Sequence, residues 1–138
     1  MASSADAAVW WLRLALGDLL AAQVLLENES VQPRAPAQFA QQAAEKALKA
    51  AIASTGSEPG RTHDLVYLAL GCHTELRQAF ALIDIAVLSA VLAPSRYPSP
   101  SDAPIRRDDA TRWVVDAHHV VDLVARDCEV DLESLSAA

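Results

Sequence analysis

Apolar residues recur at helical spacing along most of the chain. From about Asp6 to Glu27, Val9, Leu12, Leu16, Leu19 and Leu20 share one helical face, with Ser3, Ser4 or Asp6 available to cap its start. Trp11, Leu14 and Leu25 lie on roughly the opposite side, so this helix is apolar on two faces. A second helix, about Pro36 to Ser54, follows a proline-marked loop and carries Ala40, Ala43, Ala44, Ala47, Ala50, Ala51 and Ala53. Side chains this small let neighbouring axes approach closely, which predicts a place near the middle of a bundle. Gly56 and the Ser-Glu-Pro-Gly loop end it. Thr62 is then expected to cap a short third helix, roughly His63 to Leu70, with Leu65 and Leu68 or Ala69 turned inward.

A fourth helix, about Glu75 to Leu92 with Thr74 as its cap, again has two apolar stripes. Leu76, Phe80, Ile83, Val87 and Val91 form one; Ile85, Leu88 and Leu92 form the other, half a turn away. Two doubly apolar helices exceed what one small bundle buries, and a symmetric homodimer is the simplest expectation. From Ala93 to Asp108 the prolines of APSRYPSPSDAPIRRD exclude a helix and predict a long loop bearing Arg96, Arg106 and Arg107. The last helix starts at Asp108 or Asp109 and runs through Trp113, Ala117, Val120 and Val124 to about Cys128.

These elements make an all-α domain, an up-and-down bundle of four or five helices over residues 1–128. An acidic tail, 129–138, is expected to fray. Composition agrees: 52% of the 138 residues are hydrophobic, only 5% are aromatic, and four glycines leave few turns for a β-fold. The net charge of −7 argues against a broad DNA-binding surface, because such affinity comes from neutralising phosphates with Lys and Arg. Arg13 and Asp18 interrupt the N-terminal apolar run before it reaches the roughly 20 residues of a membrane span, so a cytoplasmic protein without a membrane role is expected. Cys72 and Cys128 are far apart in sequence, without a Cys-x-x-Cys pair, and read as reduced thiols. No metal site and no glycine-rich phosphate cradle is predicted, and no cofactor is implied.

Three segments carry candidate chemistry. On the second helix Gln42, Lys46 and Lys49 share a side, and Glu45 lies one turn from Lys49; a solvated face with one weak ion pair explains this equally. His63 and Asp64 open the third helix, where a histidine can transfer protons or simply cap. Arg96-Tyr97-Pro98 offers a guanidinium fork for phosphate and a ring face for a base, or else Arg96 pins the loop to a carboxylate such as Asp84.

Residues 41–65, QQAAEKALKAAIASTGSEPGRTHDL, followed by Ser95-Arg96-Tyr97-Pro98, resemble the HEPN domain family, and the resemblance runs from about Trp10 to Ala125. It implies a compact helical bundle of the kind often paired with minimal nucleotidyltransferases. It further implies a groove where the second helix, the His-Asp helix start and the Arg-containing loop converge. Gln42, Glu45, Lys46, Lys49, Asp64 and Tyr97 would bind nucleotide or RNA there, with Arg96 and His63 as the catalytic candidates. The implied function is a binding subunit of a two-component, toxin–antitoxin-like module; the alternative is a metal-independent endoribonuclease. HEPN ribonucleases bring arginine and histidine of an Arg-x4-6-His motif together at the dimer cleft. Here positions 101 to 103 are Ser, Asp and Ala, so no histidine follows Arg96 at that spacing, which leaves catalysis open. Arg112 with His118 or His119 matches the spacing but lies within the predicted last helix. Arg112 and His119 would share a face about 10 Å apart there, while His118 points elsewhere.

Overall fold

Helix α1 (Ser4–Glu27) starts at a capping box in which the Ser3 hydroxyl accepts from the Asp6 N–H and the Asp6 carboxylate accepts from the Ser3 N–H. The computed structural model describes residues 3–136. Helix α2 (Arg34–Ser54) buries side chains on every side, among them Ala37, Ala40, Ala43, Ala44, Ala47, Ala50, Ala51 and Ala53. It is the central helix, as its alanines predict. α1 lays Leu12, Ala15, Leu19 and Ala22 against it, and α7 (Arg107–Asp127) adds Val114, Ala117, Val120, Val121 and Val124. By length and composition α1 could cross a membrane, yet its inner face is the core of this bundle.

Between α2 and α7 the chain is more broken than the periodicity predicts. Helix α3 (Leu65–Leu70) is capped by Asp64, whose carboxylate accepts from Val66 and Tyr67 N–H; Thr62, the expected cap, instead accepts from the Asp64 N–H. The single fourth helix is replaced by α4 (Thr74–Ala79), a 3-10 turn over Phe80–Leu82, and α5 (Ile85–Ala90). His73, one residue before the expected Thr74, caps α4 by accepting from the Leu76 N–H. At Ile83 the backbone extends (φ −110°, ψ 129°), and Asp84 restarts the helix by accepting from the Val87 N–H. The two halves meet at 83°. That bend brings members of both apolar stripes inside: Leu76, Phe80, Leu88 and Val91 reach the interior from two directions, while Leu82 and Val87 stay exposed.

Helix α6 (Leu92–Arg96) also departs from the expected loop. Pro94 sits in its first turn, where the missing N–H has no helical acceptor to lose. The loop proper begins at Tyr97. Arg107 closes it, donating to the carbonyls of Leu26 (2.8 Å) and Val31 (2.7 Å), and so places a cation at the carbonyl end of α1, whose last turn has no basic residue.

The C-terminal segment, expected to fray, is folded back on the bundle as far as it is described. Glu129 adopts φ 57°, Val130 N–H bonds Ala125 O and Glu129 N–H bonds Arg126 O, the pattern that ends a helix and turns the chain back. Helix α8 (Leu132–Ser136) then packs on α1 and buries Leu135 to 7% exposure, because Val130, Leu132 and Leu135 supply an apolar face among the acids. Ala137 and Ala138 lie outside the described residues.

Candidate functional site

One row of α2, Gln41, Glu45 and Lys49, is polar yet buried within the alanine helix. These residues lie four apart and therefore face one way. Glu45, 6% exposed, sits between two partners: Oε1 is 2.6 Å from His63 Nδ1, and Oε2 is 3.3 Å from Lys49 Nζ. Lys49 Nζ in turn lies 5.4 Å from the centre of the Trp11 ring on α1, a favourable face for a cation. Gln41 Nε2 donates to the His63 carbonyl at 3.2 Å, while its buried Oε1 has no partner.

His63 is thus held twice, by its carbonyl and by its ring. The next residues are fixed too: Asp64 caps α3, and Leu65 N–H donates to the Ser89 hydroxyl of α5 at 3.0 Å. Yet the His63 side chain is 58% exposed. An ionised carboxylate only accepts hydrogen bonds, so beside an ionised Glu45 the proton lies on Nδ1, and in the neutral imidazole Nε2 is then an acceptor on a largely exposed side chain. The arrangement can accept a proton or a hydrogen bond from a ligand. Burying Glu45 and Lys49 together is tolerable only as a pair, since either charge alone would be strongly disfavoured in the interior.

The other expected residues separate from this cluster. Lys46 turns to Asp18 on α1, where the two form a partly buried ion pair. Gln42 is half-buried and makes no hydrogen bond among the described residues; Gln41 occupies the position assigned to it. Asp64 is spent on the α3 cap. Arg96 and Tyr97 are exposed at the end of α6, the guanidinium 5.7 Å from the ring centre. Neighbouring Ser95 is buried and its carbonyl accepts from Arg34 Nη1 at 3.2 Å. Arg34 stands about 22 Å from Lys49 along the α2 axis at 1.5 Å per residue, so the Arg-Tyr-Pro loop belongs to the opposite end of that helix. A single cavity holding Arg96 and both lysines is therefore not formed. Nor does Arg96 pin the loop to Asp84, which caps α5; Arg34 is the anchor, and sequence reasoning missed it.

Arg112 and His119 lie exposed on α7 on either side of Asp116, and His118 Nε2 pairs with Asp122 at 3.2 Å. Burial pushes the Asp116 carboxyl above its usual range, with His119 and Arg112 pulling it back. His73 Nε2 meets Asp127 at 2.7 Å and ties α4 to the end of α7. Beside it, burial pushes the Cys72 thiol up to about 11, with the Asp127 charge adding to the shift. Among the described residues no group of three His, Cys, Asp or Glu side chains could hold a metal ion.

The fold and this cluster define an all-helical domain with a charged pair inside its central helix and a histidine presented from it. A model of the HEPN domain matches residues 8–128, and the chain belongs to that family. TT1696 from Thermus thermophilus, a crystal structure, is similar with a TM-score of 0.70 and 26% identity, covering 86% of this chain and 96% of its own. ST0689, described as an archaeal HEPN homologue, has the same fold with a TM-score of 0.66 and 24% identity over 93% of this chain and 99% of its own. No curated protein matches the chain significantly.

Proposed function

We propose that this HEPN protein binds nucleotide or RNA through His63 beside the buried row of α2 and, further along the strand, through Arg96 and Tyr97 toward the other end of that helix, as one subunit of a two-component, toxin–antitoxin-like module with a minimal nucleotidyltransferase. The observation that carries this reading is His63, fixed at two points by buried groups of α2 while its side chain stays 58% exposed. A histidine wanted only for packing has no need of that exposure. Arg96 adds a fork suited to phosphate and Tyr97 a ring suited to a base; neither has a bond to another element among the described residues. The partner enzyme is inferred from the family resemblance alone. Fluorescence anisotropy with single-stranded RNA is the test: His63→Ala and Arg96→Ala are each expected to weaken binding about tenfold, the scale of losing one charged or stacking contact. Equal affinity of both variants and the parent would remove the site.

The ribonuclease reading is favoured by the same Glu45–His63 pair, which leaves Nε2 free to accept a proton from an RNA 2′-hydroxyl. RNA cleavage in the presence of chelator, abolished by His63→Ala, would establish it. Intact RNA after incubation with the parent protein would leave the binding reading in place and dismiss this one.

A homodimer through α1 completes the proposal. Trp10 (54% exposed), Leu14, Leu20 and Val24 (68% exposed) form an apolar stripe on its outer side, with Gly17 at the centre and open space around it. Trp10 and Val24 are equally far from Gly17, so an antiparallel second copy crossing at Gly17 would set each Trp10 against a Val24. Trp10, rather than Trp11, is the exposed aromatic residue.

A further inference from the structure

The chain has two tyrosines, and both are largely exposed, Tyr67 at 66% and Tyr97 at 76%. Each accompanies an arginine without hydrogen bond or ion pair among the described residues: Arg96 lies over Tyr97, and Arg61 shares a cleft with Tyr67. The cleft lies between the 57–62 loop, the end of α2 and α3. It measures about 790 Å³ and is lined by Ser57, Arg61, Thr62, Tyr67 and Leu70, with Gly71 against Ile52. That is ample for a nucleoside phosphate by the usual size of ligand sites, roughly 300–1,000 Å³. Of its two acids, Asp64 is committed to the α3 cap, and Glu58 is exposed.

We infer that this cleft is a second subsite for single-stranded RNA, with a base stacked on Tyr67 and a phosphate on Arg61, next to the strand's contact with His63. The inference rests on the RNA-binding reading above. Arg61 is two residues before His63, so their Cα atoms are at most about 7 Å apart, within the reach of one nucleotide. A strand engaging His63 therefore passes the mouth of the cleft.

The experiment is anisotropy with a labelled ten-nucleotide oligouridylate across a salt series. Tyr67→Ala is expected to weaken binding about tenfold with an unchanged salt slope, because stacking releases no counterions, and Tyr67→Phe should keep parental affinity. Arg61→Ala should reduce the slope of log K against log salt by about 0.7, the value for one phosphate on a single strand. Glu58→Gln should tighten binding at low salt. If His63→Ala and Arg96→Ala weaken binding while Arg61→Ala and Tyr67→Ala do not, the cleft is overturned and the binding face stands. If only the Arg61 and Tyr67 variants lose affinity, the cleft stands as the RNA site and the His63 face falls. No binding by the parent protein overturns both.

Discussion

Glu45 and Lys49 show how one residue type takes its meaning from depth. At the surface such a pair contributes at most about 1 kcal/mol, whereas breaking a buried pair leaves an uncompensated charge and costs about 3–5 kcal/mol. Urea denaturation should therefore place Lys49→Met several kcal/mol below the parent, and the double variant Glu45→Gln/Lys49→Met should recover most of the loss. Lys46→Met, which breaks only the more exposed pair with Asp18, should cost far less. Equal losses for the two lysines would contradict the assigned burial. Asp116 supplies a pH signature. Its folded value is raised, so ionisation opposes folding above that value; the cost fades as pH falls through it and is gone below the ordinary 3.8. Asp116→Asn should raise Tm at pH 7 and leave it unchanged at pH 3.

Among the elements, the long helices α1, α2 and α7 were legible because their apolar residues repeat over five or more turns. The break at Asp84 was not. Apolar spacing continues through it, and a helix restart depends on one carboxylate reaching one N–H, which periodicity does not register. Asp84→Ala should therefore cost about 1 kcal/mol, the usual loss for a cap, and calorimetry would show it; no loss would mean the bend is set by packing alone. The site was half legible. Glu45, Lys49 and His63 lie together, but the shared side of Gln42, Lys46 and Lys49 pointed to Gln42 and Lys46, whereas the residue that reaches His63 is Gln41. The spacing of Gln41, Glu45 and Lys49 by four held the signal for a buried row. Arg96 could not be placed, since the distance between two loops along a shared helix depends on how α6 docks.

For the whole molecule, α2 is both the structural centre and the source of the site: its alanines admit α1 and α7 closely, and its one polar row meets His63 at the edge. Four of the exposed large apolar side chains, Trp10, Leu14, Leu20 and Val24, fall on α1. Trp10→Glu should shift sedimentation from dimer to monomer and, because Trp10 is outside the core, lower Tm only by the stabilisation that association supplied. A dimer of undiminished affinity would move the interface elsewhere.

Buried groups of α2 hold His63, the ligand proposed for RNA. Imidazole nitrogen NMR during titration with single-stranded RNA measures this directly. It should find the proton on Nδ1, retained throughout, while the Nε2 resonance shifts with RNA added. A proton on Nε2 at neutral pH, or a His63 ring indifferent to saturating RNA, would contradict it.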